Sequence, residues 1–210
     1  MTTETMNPHT ALEAADPRPD AQLLEAFIRN RDQAAFALLM QRHGPYILGV
    51  CRRATSHAQD AEDVFQASFL ELVRNARAIS RGESVAGWLQ TVAVRLAQKA
   101  RARRTRRREQ EARSPMPETA VSHEEASWRE VRQILDEELA ELPHDLRAAV
   151  ILCLFEGHTQ EEAAEYLEVN PRTLKDRVHR GRELLRLRLT RRGVTLAVMG
   201  ALLAGGSAEA

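Results

Sequence analysis

EEAAEYLEVNPRTLKDRVHRGRELL, residues 161–185, reads as two short helices around a turn, the second crowded with base. Thr159 and Glu162 match a capping box for a helix Gln160–Leu167, in which the two side chains satisfy free backbone donors reciprocally. Glu168-Val169-Asn170 makes the turn, and Pro171 suits the first turn of the next helix, where its missing N–H costs nothing. In that second helix Leu174, Val178, Gly181 and Leu185 fall on one stripe and are expected to pack inward. Arg172, Asp176, His179 and Arg180 project the other way, with Lys175 and Arg186 on the flanks. An apolar back and a forward face of donors are what a recognition helix in a DNA major groove requires. A basic amphipathic helix standing alone would read as a solvated surface. Here the preceding helix, the short turn and the capping pattern favour DNA. Asp176 departs from simple phosphate attraction. It is suited either to accepting from a cytosine amino group or to orienting a neighbouring arginine.

Working outward, a second basic stretch stands at RLAQKARARRTRRR (95–108), with eight basic residues and no acidic one. A helix end favours two or three cations through its dipole, but eight call for a polyanion. Each phosphate they neutralise releases counterions and makes binding fall with salt. Residues 118–141 are mainly acidic, although Lys+Arg 30 and Asp+Glu 30 cancel over the whole chain. Such asymmetry points to a nucleic-acid surface in one part and a differently charged partner elsewhere.

Helical periodicity dominates the remainder, and no stretch alternates as a strand would, so the chain is expected to be all-α. Residues 1–19 are polar with three prolines and are expected to form a disordered tail without a secretory signal. Leu23, Leu24 and Phe27 mark one helix; Phe36, Leu39 and Met40 mark the next, with Asp32 as its N-cap. Gly44-Pro45 is expected to end that helix and start another. Ser56 is expected to cap a helix from Ala58 to about Arg77, with Ala61, Phe65, Phe69 and Leu72 inward. Ser84 is placed to cap the helix that runs through Trp88 into the arginines. Residues 109–123 carry two prolines and few apolar groups, and read as a flexible linker between two small domains, 20–108 and 124–190. Residues 191–210 form an apolar tail whose role is not legible. Its run 194–204 is about half the length of a bilayer-spanning helix.

Cys51 and Cys153 lie far apart in apolar helical contexts and read as free thiols of a cytoplasmic protein. The seven histidines show no metal-ligand spacing. His158-Thr159-Gln160-Glu161-Glu162 lacks the second histidine of an inverted zinc-protease motif. Neither an enzyme nor a cofactor is expected.

Three segments resemble the sigma-70 family, specifically its small extracytoplasmic-function type. DAEDVFQASFLEL (60–72) is similar to the family's region 2.2, SVAGWLQTVAVRLAQKARARRTRR (84–107) to regions 2.3–2.4, and residues 141–186 to region 4. The resemblance implies a two-domain helical protein that binds core RNA polymerase and directs it to promoter DNA. By position, Asp60, Glu62, Asp63 and Gln66 would dock on the clamp helices of the largest polymerase subunit. Lys99, Arg101, Arg103, Arg104, Arg106 and Arg107 would follow the strand backbone at the −10 element. Residues 79–85 would hold a flipped-out base. Arg172, Thr173, Lys175, Asp176, Arg177, His179 and Arg180 would meet the −35 element, with region 4 on the flap of the second-largest subunit. The resemblance leaves open an anti-sigma factor. Arg95, Lys99, Arg172 and Asp176 depart from the residue types frequent in the family, which bears on promoter sequence rather than on class. The competing reading is a stand-alone helix-turn-helix regulator on operator DNA, which would account for residues 159–188 but not for 58–108.

Overall fold

The computed structural model describes residues 18–194 apart from 56, 80–83 and 112–122. All regular elements among them are helical. The first unit comprises α1 (Asp20–Asn30), α2 (Gln33–Ala54), α3 (Ala58–Asn75), a 3-10 turn Ala76–Ala78, and α4 (Val85–Glu111). Its core is drawn from all four helices: Leu23 and Phe27, Leu39 and Ile47, Phe69 and Leu72, Leu89 and Ala93.

Local signals place most of the boundaries. The Asp32 carboxylate accepts from the Ala34 and Ala35 amides at 2.9 and 3.1 Å, capping α2. The Ser84 hydroxyl accepts from the Gly87 amide at 2.9 Å and opens α4. One expectation fails: α2 runs unbroken through Gly44-Pro45. Proline removes one backbone donor and normally kinks a helix. In α2 both halves bury the same face, with Leu39 and His43 before the proline and Ile47, Val50 and Cys51 after it. Packing of that face against α1, α3 and α4 outweighs the lost bond. Ser56, expected to cap α3, lies outside the described residues, and His57 at the N-cap position makes no side-chain cap bond.

The second unit holds α5 (His123–Ala140), α6 (His144–Val150) continuing into a π turn Ile151–Phe155, α7 (Gln160–Tyr166) and α8 (Pro171–Arg191). Thus α4 continues three residues into the segment expected to be linker. The Arg147 guanidinium donates to the carbonyls of Ala140 and Leu142 at 2.9 and 3.1 Å, satisfying acceptors that the end of α5 leaves free. Two apolar clusters back α8: Leu185 and Leu189 pack with Leu135, Leu139 and Val150, and Leu174 and Val178 with Ala163, Ala164 and Leu167.

Gly181 sits where α8 crosses α6. A Cβ there would lie 2.6 Å from Val150 Cγ2 and 3.3 Å from the Leu146 carbonyl oxygen. Alanine gains about 1 kcal/mol of helix propensity, but the clash is with a stiff branched side chain and with backbone. The Gly181→Ala protein is therefore expected to be less stable by about 1–2 kcal/mol net, read as a lower urea midpoint at unchanged slope. An unchanged midpoint would show that α6 and α8 separate freely.

Between the units, α5 packs against α2 and α4 on one side and α8 on the other, and α4 also touches α6. At that last contact a Cβ on Gly87 would lie 3.7 Å from Arg147 Nε and 3.8 Å from Ile151 Cδ1. The two units are thus docked, an arrangement the expected flexible linker did not anticipate.

Candidate nucleic-acid interface

The geometry of α8 follows from its caps. Thr159 and Glu162 form the expected capping box, with the Thr159 amide donating to the Glu162 carboxylate at 2.8 Å and the Glu162 amide to the Thr159 hydroxyl at 3.2 Å. Those bonds, the backbone one first, hold the Glu162 carboxyl below its usual range. Glu168 adopts left-handed backbone (φ 52) to close the turn. The Asn170 side chain accepts from the Arg172 amide at 2.8 Å, and Pro171 takes the first helical position. Leu174, Val178, Gly181 and Leu185 are all buried. Arg172, Thr173, Lys175, Asp176, His179 and Arg180 are all exposed on the opposite side. Arg177 differs: it is half-buried, with Nε 3.6 Å from the Asp145 carboxylate of α6.

On α4, Lys99, Arg101, Arg103, Arg106 and Arg107 are exposed, and Arg104 is half-buried. Glu62, Asp63 and Gln66 are exposed on neighbouring α3, above the rings of Phe65 and Phe69, which pack tilted at 57° (5.0 Å between centroids). Leu70, 55% exposed, lies one turn beyond Gln66 on the same face. Asp60 is half-buried and accepts from Arg104 at 2.7 Å. The pair joins a residue expected to meet polymerase to one expected to meet DNA. Of residues 79–85, Ile79 is half-buried and Ser84 and Val85 are buried, while 80–83 lie outside the described residues.

A polar cluster at the junction of the units escaped the sequence reading. His43 of α2 bonds through Nε2 to the Asp20 carboxylate at the start of α1 and through Nδ1 to Glu156, 3.1 Å away at the end of the π turn. The Tyr166 hydroxyl donates to the same Asp20 oxygen that meets His43, and Arg42 donates to the other at 3.0 Å. Burial alone would neutralise both members of the central pair. Their mutual attraction overrides it, holding the Asp20 carboxyl well below the carboxylate range and pushing His43 up to about 10. Nearby, Arg53 of α2 makes a two-pronged bond to Asp136 of α5 at 2.8 and 3.2 Å, and Gln90 of α4 donates to the Asp136 carbonyl at 2.6 Å. The partners lie up to 146 residues apart along the chain. No local pattern marks them.

The fold and both basic faces can be set beside known proteins. Residues 39–107 match the family model of sigma-70 region 2, and residues 132–185 match that of sigma-70 region 4. The chain is 30% identical over 183 residues to the ECF RNA polymerase sigma factor SigE of Mycolicibacterium smegmatis, covering 81% of this chain and 69% of that one. It is 31% identical over 158 residues to the RNA polymerase sigma factor CarQ of Myxococcus xanthus, covering 75% and 91%. Among solved structures it is similar to the sigma factor RpoE in complex with the anti-sigma factor NepR from Bartonella quintana, with a TM-score of 0.38 at 21% identity, over 74% of this chain and 96% of that one. With two region models matched in order, and relatives that align along most of their length, the chain belongs to the sigma-70 family as a sigma factor of the extracytoplasmic-function type.

Proposed function

We propose that residues 20–108 form the unit that docks on polymerase and opens the −10 element, and residues 124–190 the unit that reads the −35 element, joined by a linker at 109–123. As a sigma factor the chain works with core RNA polymerase on promoter DNA to start transcription. In this reading Asp60, Glu62, Asp63 and Gln66 on α3 meet the clamp helices of the largest subunit, and the second unit rests on the flap of the second-largest. Lys99, Arg101, Arg103, Arg104, Arg106 and Arg107 on α4 follow the strand backbone. Arg172, Thr173, Lys175, Asp176, Arg177, His179 and Arg180 on α8 enter the −35 groove, with the Arg177 ion pair to Asp145 setting the angle of that side chain. The observation that carries the reading is α8, whose stripe of Leu174, Val178, Gly181 and Leu185 is buried while its polar face stays open to solvent. No described helix is long and apolar enough to cross a membrane, and the work is assigned to the cytoplasm, where polymerase is.

Run-off transcription with purified core polymerase tests this reading: the chain should direct initiation from discrete start sites. A gel shift with and without core separates it from a stand-alone regulator, which would bind duplex DNA tightly by itself and gain nothing from polymerase. Charge reversal at two exposed or half-exposed docking positions, Asp60→Lys with Asp63→Lys, is expected to weaken core binding about tenfold or more, the loss of complementary charge acting on both encounter and complex. Core pull-down reads it, and wild-type recovery of polymerase would refute the docking assignment.

A further inference from the structure

The charged face of α8 changes character along its length. From Glu183 onward much of its charge is taken up within the protein: Arg186 donates to Glu183 at 3.0 Å, Arg188 stands 3.9 Å from Glu138, and Arg192 at the helix end lies 2.8 Å from Glu137. Between Arg172 and Arg180 the opposite holds. Arg177 is engaged by Asp145. Among the described residues, no side-chain bond or ion pair holds Arg172, Lys175, Asp176, His179 or Arg180, and all five are exposed.

Asp176 stands at the centre of that stretch and is its one acid. Steering a neighbouring arginine would require an ion pair with it. Arg172 and Arg180, one turn to either side, are the cations that an aspartate in a helix meets, and neither pairs with it. Glu183, two turns further on the same face, shows that such a pair does form on this helix when the geometry allows. An ionised carboxylate only accepts hydrogen bonds. In a groove walled by phosphates it is repelled and loses water, so it needs a donor there. Two bases turn an amino group into the major groove, cytosine through N4 and adenine through N6. Adenine sets the N7 acceptor beside its amino group, and N7 repels a carboxylate. Cytosine sets only a C–H beside its own. Guanine and thymine present no donor on that edge.

From these observations we infer that Asp176 is a specificity-determining residue of α8, selecting cytosine at one position of the −35 element by accepting from its N4 amino group. Guanine and thymine are rejected at that position because each turns acceptor oxygens toward the carboxylate. The surrounding cations, Arg172, Lys175 and Arg180, hold the helix in the groove against the repulsion that Asp176 brings. The inference rests on the assignment of α8 to the −35 element and adds the base that this side chain reads.

The test uses holoenzyme assembled from core polymerase and the full chain, selecting from a promoter library randomised across the −35 element. Wild type should enrich cytosine over guanine and thymine at one position by about tenfold, within the worth of a single good base contact. Asp176→Ala should lose that preference at that position and keep the rest of the motif. Asp176→Asn should move the preference to adenine, because a carboxamide offers the acceptor and donor that match N6 and N7. Asp176 is exposed, so both variants should keep wild-type helicity and urea midpoint, which separates a loss of reading from a loss of fold. An Asp176→Ala motif identical to that of wild type would overturn the inference, as would a preference weakened evenly over the whole element. Loss of a guanine preference in place of the cytosine one would return Asp176 to steering an arginine and overturn it as well. A wild-type holoenzyme that initiates but selects no −35 motif would remove the assignment of α8 together with the inference, a result distinct from a motif that is kept when Asp176 is changed.

Discussion

Replacing His43 by alanine is expected to lower the unfolding free energy by about 3–5 kcal/mol, the cost of breaking a buried ion pair from one side. Asp20 and Glu156 are 2% and 3% exposed, and both face the imidazole. Without it, Asp20 keeps Arg42 and Tyr166, while Glu156 loses its direct bond to His43. Urea denaturation followed by circular dichroism measures the change, and a loss below about 1 kcal/mol would mean that the cluster carries no net charge pairing. The same residue sets part of the pH dependence. Its pKa rises from 6.5 to about 10 on folding, so its stabilising contribution is complete below about pH 6.5 and fades as the pH climbs through 10. Asp20 works in the opposite sense. Its carboxyl is lowered from 3.8, so its contribution is complete above that value and disappears as the solution becomes more acidic. The pair therefore stabilises most between about pH 4 and 6.5, and the His43→Ala protein should lack the alkaline decline that the pair imposes.

Replacing Arg103, Arg104, Arg106 and Arg107 together by alanine is expected to weaken promoter binding by roughly 100-fold at 0.15 M salt and to flatten its salt dependence by about 3 in log–log slope. Four phosphate contacts at about 0.7–0.9 counterions each account for both numbers. The loss should be nearly the same on unrelated promoter sequences, because phosphate contacts orient a protein without reading bases. Arg104 has a further consequence: once it is gone, Asp60 loses its 2.7 Å partner and is left more available to polymerase. Core binding should then hold or tighten slightly while DNA binding collapses, a split that separates this variant from one that merely unfolds. Titrations of the holoenzyme against labelled promoter at several salt concentrations supply the measurement. An unchanged slope with unchanged transcription would remove these four residues from the mechanism.

The candidate DNA-reading face was legible because its determinants are close in sequence. Thr159 and Glu162 are three residues apart, Asn170 reaches only to Arg172, and the buried stripe of α8 repeats every three or four residues. Caps and stripes of this kind are set by neighbours along the chain, and the structure repeats them at Asp32 and Ser84. Pro45 shows where local reasoning stops. A proline's preference for a first helical turn is a local rule, and it yields when both flanking halves of a helix bury a common face.

The amino-acid order alone thus determined the all-helical class, the helix-turn-helix geometry and the segregation of cations onto α4 and α8. It did so because each depends on interactions that span a turn or two of backbone. Tertiary structure decided the rest: the unbroken α2, the Asp60–Arg104 pair, the buried Asp20–His43–Glu156–Tyr166 cluster and the docking of the units through α5. The bonds between the units join residues 46, 83, 113 and 146 positions apart. At such distances a histidine or a glutamate carries no mark of its partner, and only the packed helices bring the charges within reach of one another.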